Sequence, residues 1–295
     1  VLAVAGHRRG AGWINIGCCA ATLAAAAGLL LTVLAGGPVF AAHRLLYIDA
    51  LNVYLIVLTA LVALTTAVFS RPYMAHERQR GRLSGARMRL YHAMYQGFVL
   101  AMLLALCANN LGVLWVAVEG ATLTTVLLVS LYRTPEAVEA AWKYFILCGV
   151  GIALALFGTV LVYFAAAQFM PVPADALLWT ELHHRAALLD PTVLRIAFVF
   201  LMVGYGTKVG LVPMHQWLPD AHSEGPTPMS AILSGLLLNV ALYTLVRYKV
   251  LVDGSLAAAG HHGPQLAGHM MMAFGLLSFL LAAFLIHRQR DIKRM

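Results

Sequence analysis

Charge is scarce in this chain. Its 295 residues hold 12 Asp and Glu against 20 Lys and Arg, 11% in all, while 61% are hydrophobic and the mean hydropathy is +0.82. A soluble domain carries about 25% charged residues, so composition alone argues against one. Cysteine is nearly as sparse: Cys18, Cys19, Cys107 and Cys148 all fall in apolar stretches and form no CxxC pair. That spacing cannot hold an iron–sulfur cluster or a structural zinc, so no metal and no other cofactor is expected in this chain. Nucleophile–base sets, phosphate-binding glycine loops, repeat periods and low-complexity linkers are also missing, which disfavours a self-contained enzyme. The net charge of +8 does not imply nucleic acid, because the basic residues sit in short loops where they report topology instead.

Long apolar runs are what the sequence has in abundance. A bilayer core takes about 20 apolar residues per helical span, and roughly eight such stretches occur. They fall near 13–34, 47–70, 91–108, 110–131, 140–165, 192–213, 230–252 and 265–287. They lack the alternation of barrel strands, so their backbone groups must be satisfied inside helices. The expected fold is all-α, a polytopic transmembrane bundle forming a single membrane domain over 1–295. The opening VLAVAG resembles the end of an earlier span, and the last residues, HRQRDIKRM, read as a basic loop. The expectation is the N-terminal part of a longer subunit.

The Lys/Arg bias alternates between successive connections. One side receives Arg8, Arg9, Arg71, Arg78, Arg80, Arg82, Arg87, Arg89, Arg133, Arg288, Arg290, Lys293 and Arg294; the other receives Arg44, Arg185, Arg195, Arg247 and Lys249. The positive-inside rule makes the first side cytoplasmic, and the expected location is the cell (inner) membrane. The outer loop 168–190 has the composition of a short amphipathic helix. Its His183 and His184, like His261 and His262 further on, lack a fixed third ligand and read as solvated loop rather than metal site.

Three ionisable residues remain inside apolar spans, where a charge costs about 2.5–3.5 kcal/mol on insertion scales and is rarely kept without a partner or a purpose. Glu119, in LGVLWVAVEGATLTTVLLVS, sits near mid-bilayer with a side chain too short to snorkel; the bland alternative is a protonated acid that knits helices together. Lys208, in FVFLMVGYGTKVGLVP, lies about 24 Å along a helix that starts near Thr192. Pro213 cannot donate to the carbonyl of Val209, so the helix is expected to kink or unwind within one turn of the lysine. Pro219, Pro226 and Pro228 extend the break. Broken helices at membrane depth need protein or water to satisfy the released groups, so a wet polar cavity is expected beside Lys208. A lysine desolvated at depth gives up its proton more readily, and a nearby carboxylate opposes this, so a Lys/Glu pair of variable separation is a proton switch. Glu119 with Lys208 is the expected pair.

Lys143, in TPEAVEAAWKYFILCG, is a third candidate, with pairing to Glu139 at i, i+4 or snorkelling as its alternatives. Asn239, central in ILSGLLLNVALYTLV, can donate and accept but not carry charge, and serves equally as relay or helix glue. His215, Asp220 and His222 surround the break and are expected to hydrogen-bond broken helix ends, with a histidine able to pass protons inward.

GTKVGLVPMHQWLPDAHSEGPTPMSA resembles the signature of the proton-translocating, antiporter-like membrane subunits shared by respiratory complex I, Mrp-type sodium/proton antiporters and membrane-bound hydrogenases. LWVAVEGATL, YRTPEAVEAAWKYFILCGVGIALALFGTV, VGYGTK, PDAHSEGP and RQRDIKR are most similar to the hydrogenase-4 component F branch, from about residue 45 onward. The resemblance implies a cofactor-free helical channel subunit. Glu119 falls at its glutamate, Lys208 at its broken-helix lysine and Lys143 at a further lysine used by several relatives. Many relatives carry a central Lys or His where this chain has Asn239, which implies a water-bridged relay. The family also continues with further helices, including a second broken one, so these residues would hold an inlet half-channel.

The leading expectation is therefore a non-redox, proton-translocating subunit of an oxidoreductase complex. Its partners would be other membrane subunits, redox subunits reached through them, the bilayer and protons or sodium, with no nucleic acid. An Mrp-type cation/proton antiporter subunit and a structural membrane anchor are the alternatives.

Overall fold

The computed structural model describes residues 2, 6, 10–170, 172–260 and 266–286. His261, His262, Arg8, Arg9, Arg288, Arg290, Lys293 and Arg294 lie outside the described residues. Long helices dominate: α1 (Ala11–Gly36), α2 (Ala50–Gln79), α3 (Gly85–Cys107), α4 (Leu111–Val129), α5 (Pro135–Ala167), a short α6 (Trp179–His184), α7 (Pro191–Val209), α8 (Trp217–Glu224), α9 (Thr227–Ile232), α10 (Leu238–Ala258) and α11 (Leu266–Ile286). Among the described residues eight helical stretches are long and apolar enough to cross a membrane, with α4 extended to Tyr132 and Thr227–Ala258 counted as one. The chain is a polytopic helical membrane protein.

Capping residues stand where the apolar runs begin. Asp49, Ser84, Asn110, Thr134 and Asp190 each accept backbone N–H bonds at the first turn of α2, α3, α4, α5 and α7. Thr134 and Asp190 are followed by proline at the first helical position, where a missing N–H costs nothing. Pro72 does not stop α2, which runs on to Gln79. Arg71 and Arg78 are thus helical residues, not the loop residues that the hydropathy pattern suggests.

A small antiparallel hairpin, β1 (Val39–Ala41) with β2 (Leu46–Ile48), pairs Phe40 with Tyr47 between α1 and α2. It is the one strand pairing of its kind among the described residues and an addition to the all-α expectation. In the 168–190 segment α6 and two 3-10 turns supply the expected short helical structure.

The core gathers around α5 and α7, the most intimately packed pair, flanked by α4, α8 and α10. The hydrophobic window of α7 is 56% buried and that of α11 0%, so α7 is central and α11 peripheral. Without a hydrophobic drive between helices in lipid, close backbone approach through small residues holds such a pair. A Cβ on Gly204 of α7 would lie 2.6 Å from the backbone N of Ala155 and 2.7 Å from its Cβ; one on Gly158 would lie 2.9 Å from the carbonyl of Ala197; one on Gly151 would lie 2.9 Å from Cβ of Thr207. Gly151, Ala155 and Gly158 recur every three or four residues, so they form one seam that sets the register of α7 and brings Lys208 against the start of α5.

A candidate proton-relay site at the broken helix

Helix α7 ends one residue after Lys208. Gly210 takes φ +77°, a left-handed conformation that glycine enters without a Cβ clash. Its N–H and that of Leu211 turn back onto the carbonyls of Thr207 and Gly206, at 3.2 and 3.0 Å, a Schellman closure. The break thus falls within one turn of the lysine as expected, but Gly210 ends the helix, and Pro213 stands exposed in the following turn. Pro219 does not add a second break. It lies in the first turn of α8, and Pro228 in that of α9, where intrahelical N–H donors are not needed.

The expected wet cavity beside Lys208 is replaced by aromatic packing. Trp217, fully buried, fills the break and donates its indole N–H to the carbonyl of Thr207 at 2.8 Å, and its ring lies 4.7 Å from that of Tyr144. A protein donor thereby satisfies a carbonyl that the broken helix releases. Val212 donates its N–H to Oγ of Ser278 at 3.0 Å, which ties the break to α11.

Lys208 is 0% exposed. Its Nζ donates to Oγ1 of Thr122, and Thr122 donates to Oε2 of Glu119 at 3.1 Å. The Thr122 hydroxyl also lies 3.2 Å from the carbonyl of Val118. Lys208 and Glu119 therefore share a partner but form no direct ion pair. The ammonium lies 5.6 Å from the centre of the Tyr144 ring, within cation–π range. Tyr144 hydroxyl is 2.7 Å from Oγ1 of Thr125, so Glu119, Thr122 and Thr125 make a polar stripe at i, i+3, i+6 on α4. The position of Lys208 in the last turn of α7 also sets its charge at the negative end of the helix dipole.

The other candidates do not converge on this point. Lys143 is 49% exposed and pairs with Glu139 at 2.8 Å and Asp220 at 3.3 Å. The i, i+4 pairing anticipated from sequence is present, and Asp220 joins α5 to the half-helix α8. His215 is half-buried in the turn and its carbonyl accepts from the N–H of Leu218 at 2.9 Å. His222 is buried, and Oγ of Ser230 donates to its carbonyl at 2.9 Å, linking α8 to α9. No group of three His, Cys, Asp or Glu side chains that could hold a metal occurs among the described residues. Asn239 is exposed and donates to the carbonyl of Gly235 at 2.7 Å. A π-helical stretch, Leu233–Leu237, precedes it; such a stretch disturbs the regular carbonyl ladder, and Asn239 serves one of its carbonyls.

Sequence reasoning missed several polar groups. Thr122 was readable, because it lies one turn from Glu119. Tyr144 was readable as a member of the buried stripe Ala140, Tyr144, Cys148, Gly151 on α5, from which Lys143 is displaced. Nothing in the sequence pointed to Trp217. At the Arg-rich ends of the helices, Tyr73 and Tyr132 hydroxyls lie 3.3 Å apart, with Thr227 3.5 Å from Tyr73. The two tyrosines border a polar cavity of about 480 Å³ with Arg82, Thr134, Ser223 and Glu224. Beside it Glu77 is 4% exposed and lies 3.4 Å from Arg82.

Arg247 is the largest correction. Read as an outer-loop residue, it is 6% exposed within α10. Its Nη2 lies 2.8 Å from Oδ2 of Asp49, an ion pair without hydrogen-bond alignment, while Nε donates to Tyr243 hydroxyl at 2.9 Å. Its guanidinium stacks 4.3 Å from the Trp179 ring. Arg195 is likewise a residue of α7 rather than of a loop. On the rim, Arg44 pairs with Glu181 and His183 stacks on Trp179 at 5.1 Å.

Comparison with known proteins agrees with this architecture. Residues 108–295 match the family model described as NADH:quinone oxidoreductase/Mrp antiporter, TM. The chain is 54% identical over 248 residues to a hydrogenase-4 component F homolog of Methylacidiphilum infernorum, covering 84% of this chain and 51% of that protein. It is 28% identical over 277 residues to NADH-quinone oxidoreductase subunit N of Polaromonas naphthalenivorans, covering 93% and 51%. The chain thus spans about half the length of these relatives. Among solved structures, a chain of the membrane-bound sulfane sulfur reductase, an archaeal respiratory membrane complex, superposes with a TM-score of 0.81 at 21% identity, over 100% of this chain and 58% of that one.

Proposed function

The chain belongs to the NADH:quinone oxidoreductase/Mrp antiporter transmembrane family, and from that premise we propose that it is a proton-translocating part of a hydrogenase-4-like or complex I-like membrane assembly. The observation that carries the reading is the chain Lys208–Thr122–Glu119: a buried ammonium donates to a hydroxyl that donates to a carboxylate. Such an array transfers a proton without moving a heavy atom far. Lys208 Nζ gives a proton to Thr122 Oγ1 as Thr122 gives its own to Glu119 Oε2, leaving a neutral amine and a neutral acid. The reverse steps restore the charges. Burial favours the neutral pair and the dipole of α7 favours the charged one, so a small displacement of the broken helix biases the exchange.

Electron transfer in partner subunits would drive that displacement, and the Arg-rich side would face the cytoplasm. The polar cavity at Tyr73, Tyr132 and Glu224 would then serve proton uptake. Lys143, held by Glu139 and Asp220, would report movement of α8 to α5 rather than carry the central proton. As part of a longer subunit, these residues would form the inlet half of the path.

The test uses the full-length subunit in its complex, reconstituted in vesicles, with Lys208→Ala and Glu119→Gln. Both variants are expected to lose proton pumping while redox turnover persists. Normal pumping in both would overturn the reading. Because the family name covers Mrp antiporters as well, a cation/proton exchange activity is the second reading. Sodium-dependent proton exchange in vesicles lacking the redox subunits would favour it.

A further inference from the structure

A second site lies away from Lys208, between the start of α1, the end of α2 and the start of α3. It is a cavity of about 890 Å³ bordered by Gly12, Arg71, Met74, Arg78, Met88 and His92. Arg71, Met74 and Arg78 recur at helical spacing and share a face of α2, while Tyr73 and Glu77 turn toward the polar cavity described above. Gly12 gives Arg71 room: a Cβ there would lie 3.1 Å from Cγ of the arginine. The guanidinium is held under the ring of Trp13, 4.2 Å from its centre, and forms no ion pair with any described carboxylate. Arg78 is exposed on the same rim. Deeper in, His92 is 3% exposed and its Nδ1 has no hydrogen-bond partner.

Among the described residues the lining carries no acidic side chain. The walls below the arginines are Met74, Ala75 and Met88. An occupant that matches this cleft is anionic at one end and apolar at the other. The cleft sits at helix ends, next to α1, whose hydrophobic window is 17% buried among the described residues.

We propose that this cleft binds an anionic phospholipid, its phosphate against Arg71 and Arg78 and its glycerol and upper acyl segments along Met74 and Met88. His92 contributes a ring nitrogen to the headgroup or ester oxygens. A basic pocket between transmembrane helices at the membrane surface is the setting in which such headgroups are recognised, and each arginine lost there weakens binding roughly fivefold.

Trp13 is 60% exposed and stacked on Arg71, so it reports occupancy directly. The full-length protein is reconstituted in phosphatidylcholine vesicles doped with bromine-labelled phosphatidylglycerol or bromine-labelled phosphatidylcholine. Trp13 quenching is isolated by difference from Trp13→Phe. The labelled phosphatidylglycerol is expected to quench at about one-fifth the mole fraction that phosphatidylcholine needs. Arg71→Lys should keep that preference, Arg71→Gln and Arg78→Gln should each reduce it, and Arg133→Gln, outside the lining, should leave it unchanged. If Arg71→Gln does not assemble, Arg78→Gln carries the test alone. Equal quenching by the two lipids, or a preference unchanged in the glutamine variants, would refute the site. Reversal by millimolar inorganic phosphate would make it a free-anion site, and absence of quenching by either lipid would mean that protein covers it; both outcomes overturn the proposal.

Discussion

Two Lys or Arg side chains are buried among the described residues, Arg247 and Lys208, and their surroundings differ in kind. Arg247 has a carboxylate at 2.8 Å, a tyrosine hydroxyl at 2.9 Å and the Trp179 ring at 4.3 Å. Lys208 has a single hydroxyl, that of Thr122, with the Glu119 carboxylate one hydrogen bond further on. Asp49 is itself fixed, since it caps α2 through the N–H groups of Leu51 and Asn52. A guanidinium does not lose its proton in a protein, whereas a buried ammonium does so readily. Arg247 is therefore a fastening between α10 and the start of α2, whereas Lys208, on the function proposed above, is a group whose charge is conditional. Burial alone cannot tell the two apart; the distance to the nearest carboxylate does.

Stability is the sharpest way to break that comparison. Removing one partner of a buried pair leaves the other charge uncompensated, and Arg247→Met is expected to cost about 3 kcal/mol. The value is at the low end of the range because Asp49 keeps its capping bonds. Lys208→Met should be neutral or stabilising, since it removes a buried charge that has no direct ionic partner and fills the same volume. Denaturant unfolding of the full-length protein in detergent measures both. Losses of similar size in the two variants would mean that Lys208 is a fastening too.

The register of α7 gives the next effect in size. Gly204 precedes Lys208 by four residues, on the same helix face, and a Cβ there would meet Ala155 at 2.6 and 2.7 Å. Gly204→Ala should cost about 2 kcal/mol from overpacking and move the lysine relative to Thr122, lowering proton transport as well. Gly149→Ala, with nothing within 4 Å of the added Cβ, should change stability by less than about 1 kcal/mol, in the favourable direction. If the two variants behave alike, the seam does not position the site.

The contrast between Arg247 and Lys208 also marks how far the sequence could be read. The eight spans were legible because the bilayer demands about 20 apolar residues in each; their ends lie within six residues of those expected except where α2 runs through Pro72 to Gln79. Glu119 and Lys208 were legible as charges in apolar runs. Arg247 was not, because its partner Asp49 lies in a distant part of the chain and only the fold brings them together. Lys143 was the weaker candidate, with Glu139 pairing as its alternative, and one step of about 100° around α5 separates it from the buried stripe that includes Tyr144. Asn239 looked central, but the π-helical stretch before it changes the phase of the helix, and the residue emerges on an exposed face.

A third cation, Arg44, completes the series at the smallest scale. Its pair with Glu181 lies outside the spans, with side chains 47% and 19% exposed. The Arg44 hydrogen bond holds the Glu181 carboxyl below its ordinary range; partial burial opposes this, and Arg185 and His184 add to it. A carboxyl depressed in the folded state stabilises fully above its unfolded value of about 4.3 and stops doing so as pH falls through the folded value. Between pH 8 and 5 the pair should contribute constantly; below about pH 4 the contribution fades, and Glu181→Gln should abolish that part of the acid dependence. Solvent screening keeps the whole effect under about 1 kcal/mol. Salt separates the rim from the interior: at 1 M the Debye length is about 3 Å, so the Glu181→Gln effect should nearly vanish while that of Arg247→Met persists. If high salt erased both, Arg247 would be as solvated as Arg44, and the division between a fastened cation and a conditional one would have to be drawn elsewhere.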